Sequence, residues 1–186
     1  MPTHRQQSFL ATLWLGQRPL HSLDALLGKK AWVNWFGGAG VLPQLVSTVR
    51  DDSHLLSCQA GVSDQAMLLY FRHTPTGYRL YVREKGQHFG KGVKLTNDGY
   101  LGAFSSETSA PSALELRTPQ GQRVSLSDLD ADTHPVTLFH DGASIRRRRV
   151  EGLPYEYVGT DKGEPQTWNL HINSRNVPWL NAPYEQ

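Results

Sequence analysis

"NDGYLGAF", residues 97–104, reads as a hairpin: Asp98-Gly99 lies between the apolar positions Val93 and Leu95 on one side and Tyr100 and Leu101 on the other, and Asp-Gly is a favoured two-residue turn. Similar stretches occur at "DDSHLLSC" (51–58) and "HDGASIRR" (140–147). The turn pairs Asp52-Ser53, Asp98-Gly99 and Asp141-Gly142 fall roughly 45 residues apart, the interval of a supersecondary repeat. Val46 and Val49, Val93 and Leu95, and Val136 and Leu138 precede them; Leu55, Leu101 and Ile145 follow. The spacing predicts one hairpin written three times.

Other runs fall into the same register. "AMLLYFR" (66–72), "ALELRT" (113–118) and "TWNLHI" (167–172) alternate at Met67/Leu69/Phe71, Leu114/Leu116 and Trp168/Leu170/Ile172, the period of a half-buried strand. "AWVNWF" (31–36), "YRLYVRE" (78–84) and "RVSLSD" (123–128) open the units. Three four-stranded repeats are expected, at about 31–77, 78–122 and 123–172, with a Gly- and Pro-containing insertion, "VEGLPYEYVGTDKGEPQ" (150–166), in the third.

Twelve short strands in three copies resemble the β-trefoil, in which six strands close a barrel and three hairpins cap one end. The resemblance implies an all-β fold with pseudo-threefold symmetry over residues 31–172. Closure removes exposed edges, and each unit buries its inner face only against the other two. A two-sheet sandwich is the competing architecture. Residues 1–30 are read as a partly helical N-terminal arm: Ser22 is a suitable N-cap for Leu23, Leu26 and Leu27, with Gly28 as the stop. "SFLATLWLG" (8–16) fits either a helix or a strand. The arm either packs on the barrel or serves oligomerisation or docking. The tail, 173–186, with Trp179 and Tyr184, is expected to strap the surface.

The bulk composition limits the functional classes. At 186 residues and 20.8 kDa the chain suits one domain, and 38% hydrophobic with 19% charged residues is globular. A net charge of +2 gives no general nucleic-acid footprint despite "RRRR" at 146–149. The single cysteine, Cys58, excludes an intramolecular disulfide and suits a small core side chain. No apolar run reaches the ~18 residues of a membrane span, and the start lacks a convincing signal-peptide core. The expected location is cytoplasmic, or secreted without a recognisable signal peptide. Metal-ligand spacing, Cys-x-x-Cys, a phosphate-cradling loop and a nucleophile elbow are all missing from the sequence. The expectation is therefore a non-catalytic binding protein without cofactor or metal.

Two trefoil subfamilies offer closer comparisons. Ricin-type lectins carry Gln-x-Trp; the counterparts here are Gln166-Thr167-Trp168, Gln65-Ala66-Met67 and Ser112-Ala113-Leu114. Their sugar-gripping Asp corresponds to Leu56, Gly102 and Arg146, none a carboxylate, so the likeness does not extend to the galactose pocket. "DGYLGA" (98–103) is similar to the fascin-type and hisactophilin-like trefoils, which bind actin, membranes or other partners. The resemblance implies glycan or glycoprotein binding in shallow pockets. Its rival is a protein-binding trefoil that engages a protein receptor, as a protease inhibitor, a toxin-type receptor-binding subunit or a cytoskeletal partner.

Candidate ligand residues follow from where the repeats differ. Tyr155 and Tyr157 alternate in the insertion and project to one side of an extended strand, either as ligand contacts or as a seal over the barrel end. Arg147 and Arg149 supply charge beside them, either to a ligand or as solvated edge charge. His54, Tyr100, Asp98 and Asn169 are the outward candidates near the turns, while Trp168 is assigned to the core.

Overall fold

The computed structural model describes residues 2–36 and 47–177. In chain order, β1 (Phe9–Leu15) turns through β2 (Arg18–Pro19) into β3 (His21–Ser22), helix α1 (Leu23–Leu27) and the ribbon β4 (Trp32–Phe36) and β5 (Ser47–Asp51). Next come β6 (Leu56–Ser57), β7 (Leu69–Thr74), β8 (Gly77–Val82), β9 (Gly92–Leu95), β10 (Leu101–Phe104) and β11 (Ala113–Arg117). β12 (Thr133–His140), β13 (Ala143–Arg149), β14 (Glu156–Asp161) and β15 (Thr167–Arg175) complete the fold.

Six of these strands close a ring. β1 pairs with β15 and β7, β15 with β12, β12 with β11, β11 with β8, and β8 with β7, every pair antiparallel. Period-2 alternation sets the inside of the ring: Phe9, Ala11 and Leu13 of β1, Leu114 and Leu116 of β11, and Trp168, Leu170 and Ile172 of β15 are buried in one cluster. Met67, just before β7, joins them. Met67, Leu114 and Trp168 are thus all buried, as their alternation implies.

Outside the ring, three short strands form a second group. β6, β10 and β14 touch one another pairwise, through the bridges Leu55–Gly102 and Tyr100–Gly159 and a hydrogen bond from the Glu156 N–H to Gln59 Oε1. Close approach explains two glycines. A Cβ on Gly159 would run into the Gly99 carbonyl, and one on Gly102 would lie 2.9 Å from Leu55 Cδ2.

Several expectations need correction. Phe9–Leu15, placed in the arm, is a ring strand between β7 and β15. Residues 123–128, expected as a strand, form a loop ending in a 3-10 turn (Leu126–Asp128) whose Ser125 and Asp128 build a reciprocal cap. Such a cap satisfies the turn's free N–H groups locally and removes the need for a strand partner. The three Asp turns are not equivalent. Asp98-Gly99 joins β9 to β10, whereas Asp141-Gly142 joins the ring strand β12 to β13 with φ of 47° and 80°. Asp98-Gly99 and Asp141-Gly142 are thus both turns, but they join different kinds of strand. α1 does begin after Ser22 and stop at Gly28, whose φ is 66°. Val46, Trp179 and Tyr184 lie outside the described residues. Among the described residues, no helix is long and apolar enough to cross a membrane.

Candidate functional site

The anticipated ligand residues divide between a buried cluster beside β6, β10 and β14, the exposed edge of that cluster and the ring wall. Tyr157 is fully buried and donates its hydroxyl to Asp52 Oδ2 at 2.8 Å; burial, then the neighbouring Asp52 carboxylate, push its phenol well above the ordinary value. Tyr100, expected to point outward, is buried against Tyr157 with ring centroids 5.1 Å apart. Tyr155 packs half-buried on the same cluster. Both tyrosines of the insertion therefore pack on one cluster with Leu23, Leu55 and Tyr100. An outward role for Tyr157 and Tyr100 is corrected: the faces of β10 and β14 that meet β6 become interior, which no single strand's alternation reveals.

The arginine run divides by parity, as strand geometry requires. Arg148 lies 4.4 Å over the Tyr100 ring and donates to the Asp98 carbonyl at 2.9 Å. Arg146 is 3.6 Å from Asp161. Arg147 and Arg149 share the opposite face and both approach Glu156. Asp98 is exposed and 3.6 Å from Arg50, itself bound to the buried Asp52. His54 is half-buried edge-on to Phe104, and Asn169, half-buried, pairs with Trp14 of β1. Asn169 sits on the ring wall, away from the cap residues with which it was grouped. Cys58 is buried, and burial pushes its thiol up to about 11, which keeps it protonated and unreactive.

A cleft that the sequence did not announce lies between α1 and the 84–88 segment. It encloses about 450 Å³ and its lining includes His21, Ser22, Asp24, Glu84, Gln87 and His88 together with Lys29, Lys30 and Lys85. The Asp24 carboxylate is its organising group. It accepts from Ser22 Oγ at 2.5 Å, from the Ala25 N–H at 2.8 Å and from His88 Nε2 at 2.9 Å. These contacts, His88 foremost, hold its carboxyl below the ordinary value against the opposing effect of burial, which is the largest single influence. Lys91 Nζ stands 3.1 Å from His88 Nδ1, so His88 is fixed at both ring nitrogens. His21 Nδ1 accepts from the Ser22 N–H at 2.8 Å, which leaves its Nε2 as the donor.

Two exposed aromatic residues follow lining residues along the chain, Trp32 after Lys30 and Phe89 after His88. Lys30 Nζ is 5.8 Å from the Trp32 ring, which is 57% exposed, and Phe89, next to His88, is 45% exposed beneath Arg83. The sequence held one usable signal: alternation in β4 sets Trp32 opposite the buried Val33. Nothing local links His21 and Asp24 to Glu84 and His88, because the fold brings the two pairs together across about sixty residues of chain.

Three histidines give the fold a pH dependence. Burial lowers the pKa of His21, opposed by Glu84 and Asp24; burial also lowers that of His54; burial, then His4 and Arg123, lower that of His73. Each stays neutral in the fold after the unfolded chain has begun to bind its proton. Their contribution to stability is complete above the reference value of 6.5 and is lost as pH falls from there through the folded-state values. Thermal melting should therefore decline below about pH 6.5. The decline should be shallower in His54→Gln and His21→Gln; equal slopes in the parent and both variants would remove these groups as the cause.

Compared with known proteins, the chain matches no family model, no curated protein and no solved structure.

Proposed function

We propose that the chain is a non-catalytic carbohydrate-binding protein of the β-trefoil type, with its sugar seat in the cleft between α1 and residues 84–88. The fold reading is supported by the pairing of ring strands along the chain: β1 with β7, β8 with β11, and β12 with β15 each bracket shorter strands, and β6, β10 and β14 meet one another. The observation that carries the function is the cleft itself, where carboxylates and amide or imidazole donors converge with Lys30, which lies 5.8 Å from the exposed Trp32 ring. A sugar presents hydroxyls that donate to carboxylates and C–H faces that cover aromatic rings, so a polar, open cleft with an exposed ring near one of its lining lysines suits it. Asp24 and Glu84 would accept from hydroxyls, while His21 Nε2 and Gln87 would donate. Lys29, Lys30 and Lys85 favour an acidic sugar over a neutral one.

A protein ligand is the second reading, favoured by the β4–β5 ribbon. Trp32 and Val49 lie on its same face, 57% and 58% exposed, and exposed aromatics anchor protein contacts. The two readings separate on a glycan array followed by calorimetry with the best monosaccharide or disaccharide. Trp32→Ala, a surface change, should leave the melting temperature in place and weaken sugar binding about tenfold, with Glu84→Gln weakening it similarly. A blank array, or sugar affinity unchanged in both variants, would rule out the cleft as a sugar seat.

A further inference from the structure

Arg18, Arg147 and Arg149 converge on a single carboxylate, Glu156, at 3.6, 3.7 and 3.2 Å. Three cations face one anion, so the cluster keeps two positive charges in excess. The contacts are charge proximity rather than hydrogen bonds. Glu156 Oε2 is buried without a hydrogen-bond partner, and among the described residues no guanidinium N–H of these three arginines is placed in a hydrogen bond. The Arg147 backbone N–H donates to Gln166 Oε1, at 2.6 Å.

The strand register explains why the donors are presented. Ile145, Arg147 and Arg149 share one face of β13, and Glu156 and Val158 share the matching face of β14. Ile145 and Val158 are buried in the barrel core. The same face then runs past the core's edge, where Arg147 and Arg149 emerge with side chains 41% and 80% exposed. Arg18, from β2, closes the third side at 47% exposure. On the reverse face, Arg146 and Arg148 are engaged with Asp161, Tyr100 and Asp98. Parity thus divides one basic run into two structural arginines and two with donors to spare. A guanidinium presents its donors as a planar fork that matches a tetrahedral oxyanion in paired hydrogen bonds.

We propose that Arg18, Arg147 and Arg149 form a second binding site, separate from the cleft, for a sulfate or phosphate ester carried on a glycan. The glycan carrier rests on the function proposed above; the anion preference rests on the cluster alone. The excess charge and unused forks call for a ligand group with at least one full negative charge and several acceptor oxygens. Glu156 holds the arginines together in the unliganded state and limits affinity by its own charge.

The test uses one oligosaccharide in three forms, sulfated, phosphorylated and neutral, titrated into the full chain, with inorganic sulfate and inorganic phosphate as separate probes. Both esters should bind and the neutral form should not bind at this site; affinity should fall steeply with added salt. Which ester binds tighter identifies the source of the oxyanion. Arg149→Gln, a change at a mostly exposed side chain, should weaken ester binding about tenfold, and Glu156→Gln should strengthen it. Inorganic sulfate, which carries no sugar for the cleft, should bind the parent and lose affinity in Arg149→Gln, so failure of the cleft and failure of this cluster register separately. Ester affinity within twofold of the parent in Arg149→Gln and in Arg147→Gln would overturn the proposal. Loss of ester binding only in Lys30→Gln or Lys85→Gln would overturn it as well, by moving the anion to the cleft.

Discussion

Trp168→Ala should lower the free energy of unfolding by about 3–5 kcal/mol, the range of a large aromatic truncated in a packed core. Trp168 is completely buried inside the ring among Leu170, Ile172 and Val136, and its indole N–H donates to the Ile145 carbonyl at 3.1 Å. The substitution opens a cavity and removes that donor together. It also loosens the join between β15 and β13, since the bond links a ring strand to a cap strand. Urea denaturation should give a lower midpoint with an unchanged slope. A loss below about 1 kcal/mol would mean that the ring interior collapses around the gap or that Trp168 is not packed there. Trp168→Phe should fall between, because it keeps most of the apolar area and leaves only the Ile145 carbonyl without its partner.

Asp52→Ala should cost about 3 kcal/mol, since it leaves buried and partly buried donors without their acceptor. Asp52 is fully buried, receives the Tyr157 hydroxyl at 2.8 Å and binds Arg50 Nε at 2.5 Å. Arg50 in turn approaches Asp98, so this carboxylate ties the turn at 52 to the turn at 98 and to β14. Tyr157→Phe removes the donor instead and should cost about 1 kcal/mol. The double variant should then lose less than the sum of the two, because each single change already breaks the shared bond. Additive losses would show that Asp52 and Tyr157 act through other partners.

Part of this architecture was legible in the residues. Alternation at Trp168/Leu170/Ile172 and Leu114/Leu116 marks strands with one buried face, because a two-residue period has only one structural meaning over such a length. The Ser22 start and Gly28 stop of α1 were equally plain. Phe9–Leu15 was not, since a short apolar run fits helix and strand alike and its strand partners, Leu69–Thr74 and Thr167–Arg175, lie far along the chain. The places of the Asp turns were not legible for a related reason: Asp-turn pairs are common, and the sequence does not say whether a given turn leads out of the ring, as at Asp141, or joins two strands outside it, as at Asp98.

The candidate sites show the same division. Arg147 and Arg149 were marked by the basic run, and strand parity alone dictates that they part from Arg146 and Arg148. Their convergence with Arg18 on Glu156 came only from the packing of β2 against the β13–β14 hairpin. Tyr100 and Tyr157 became interior because three hairpin strands meet there, and the cleft exists because the barrel sets α1 against residues 84–88. By itself, then, the sequence determined the all-β character, the local turns and caps, and which side chains share a strand face, since these depend on backbone propensity and period. Tertiary structure alone decided ring order, which cap faces are buried and which distant polar groups share a cleft, because those depend on long-range strand pairing that no local pattern encodes.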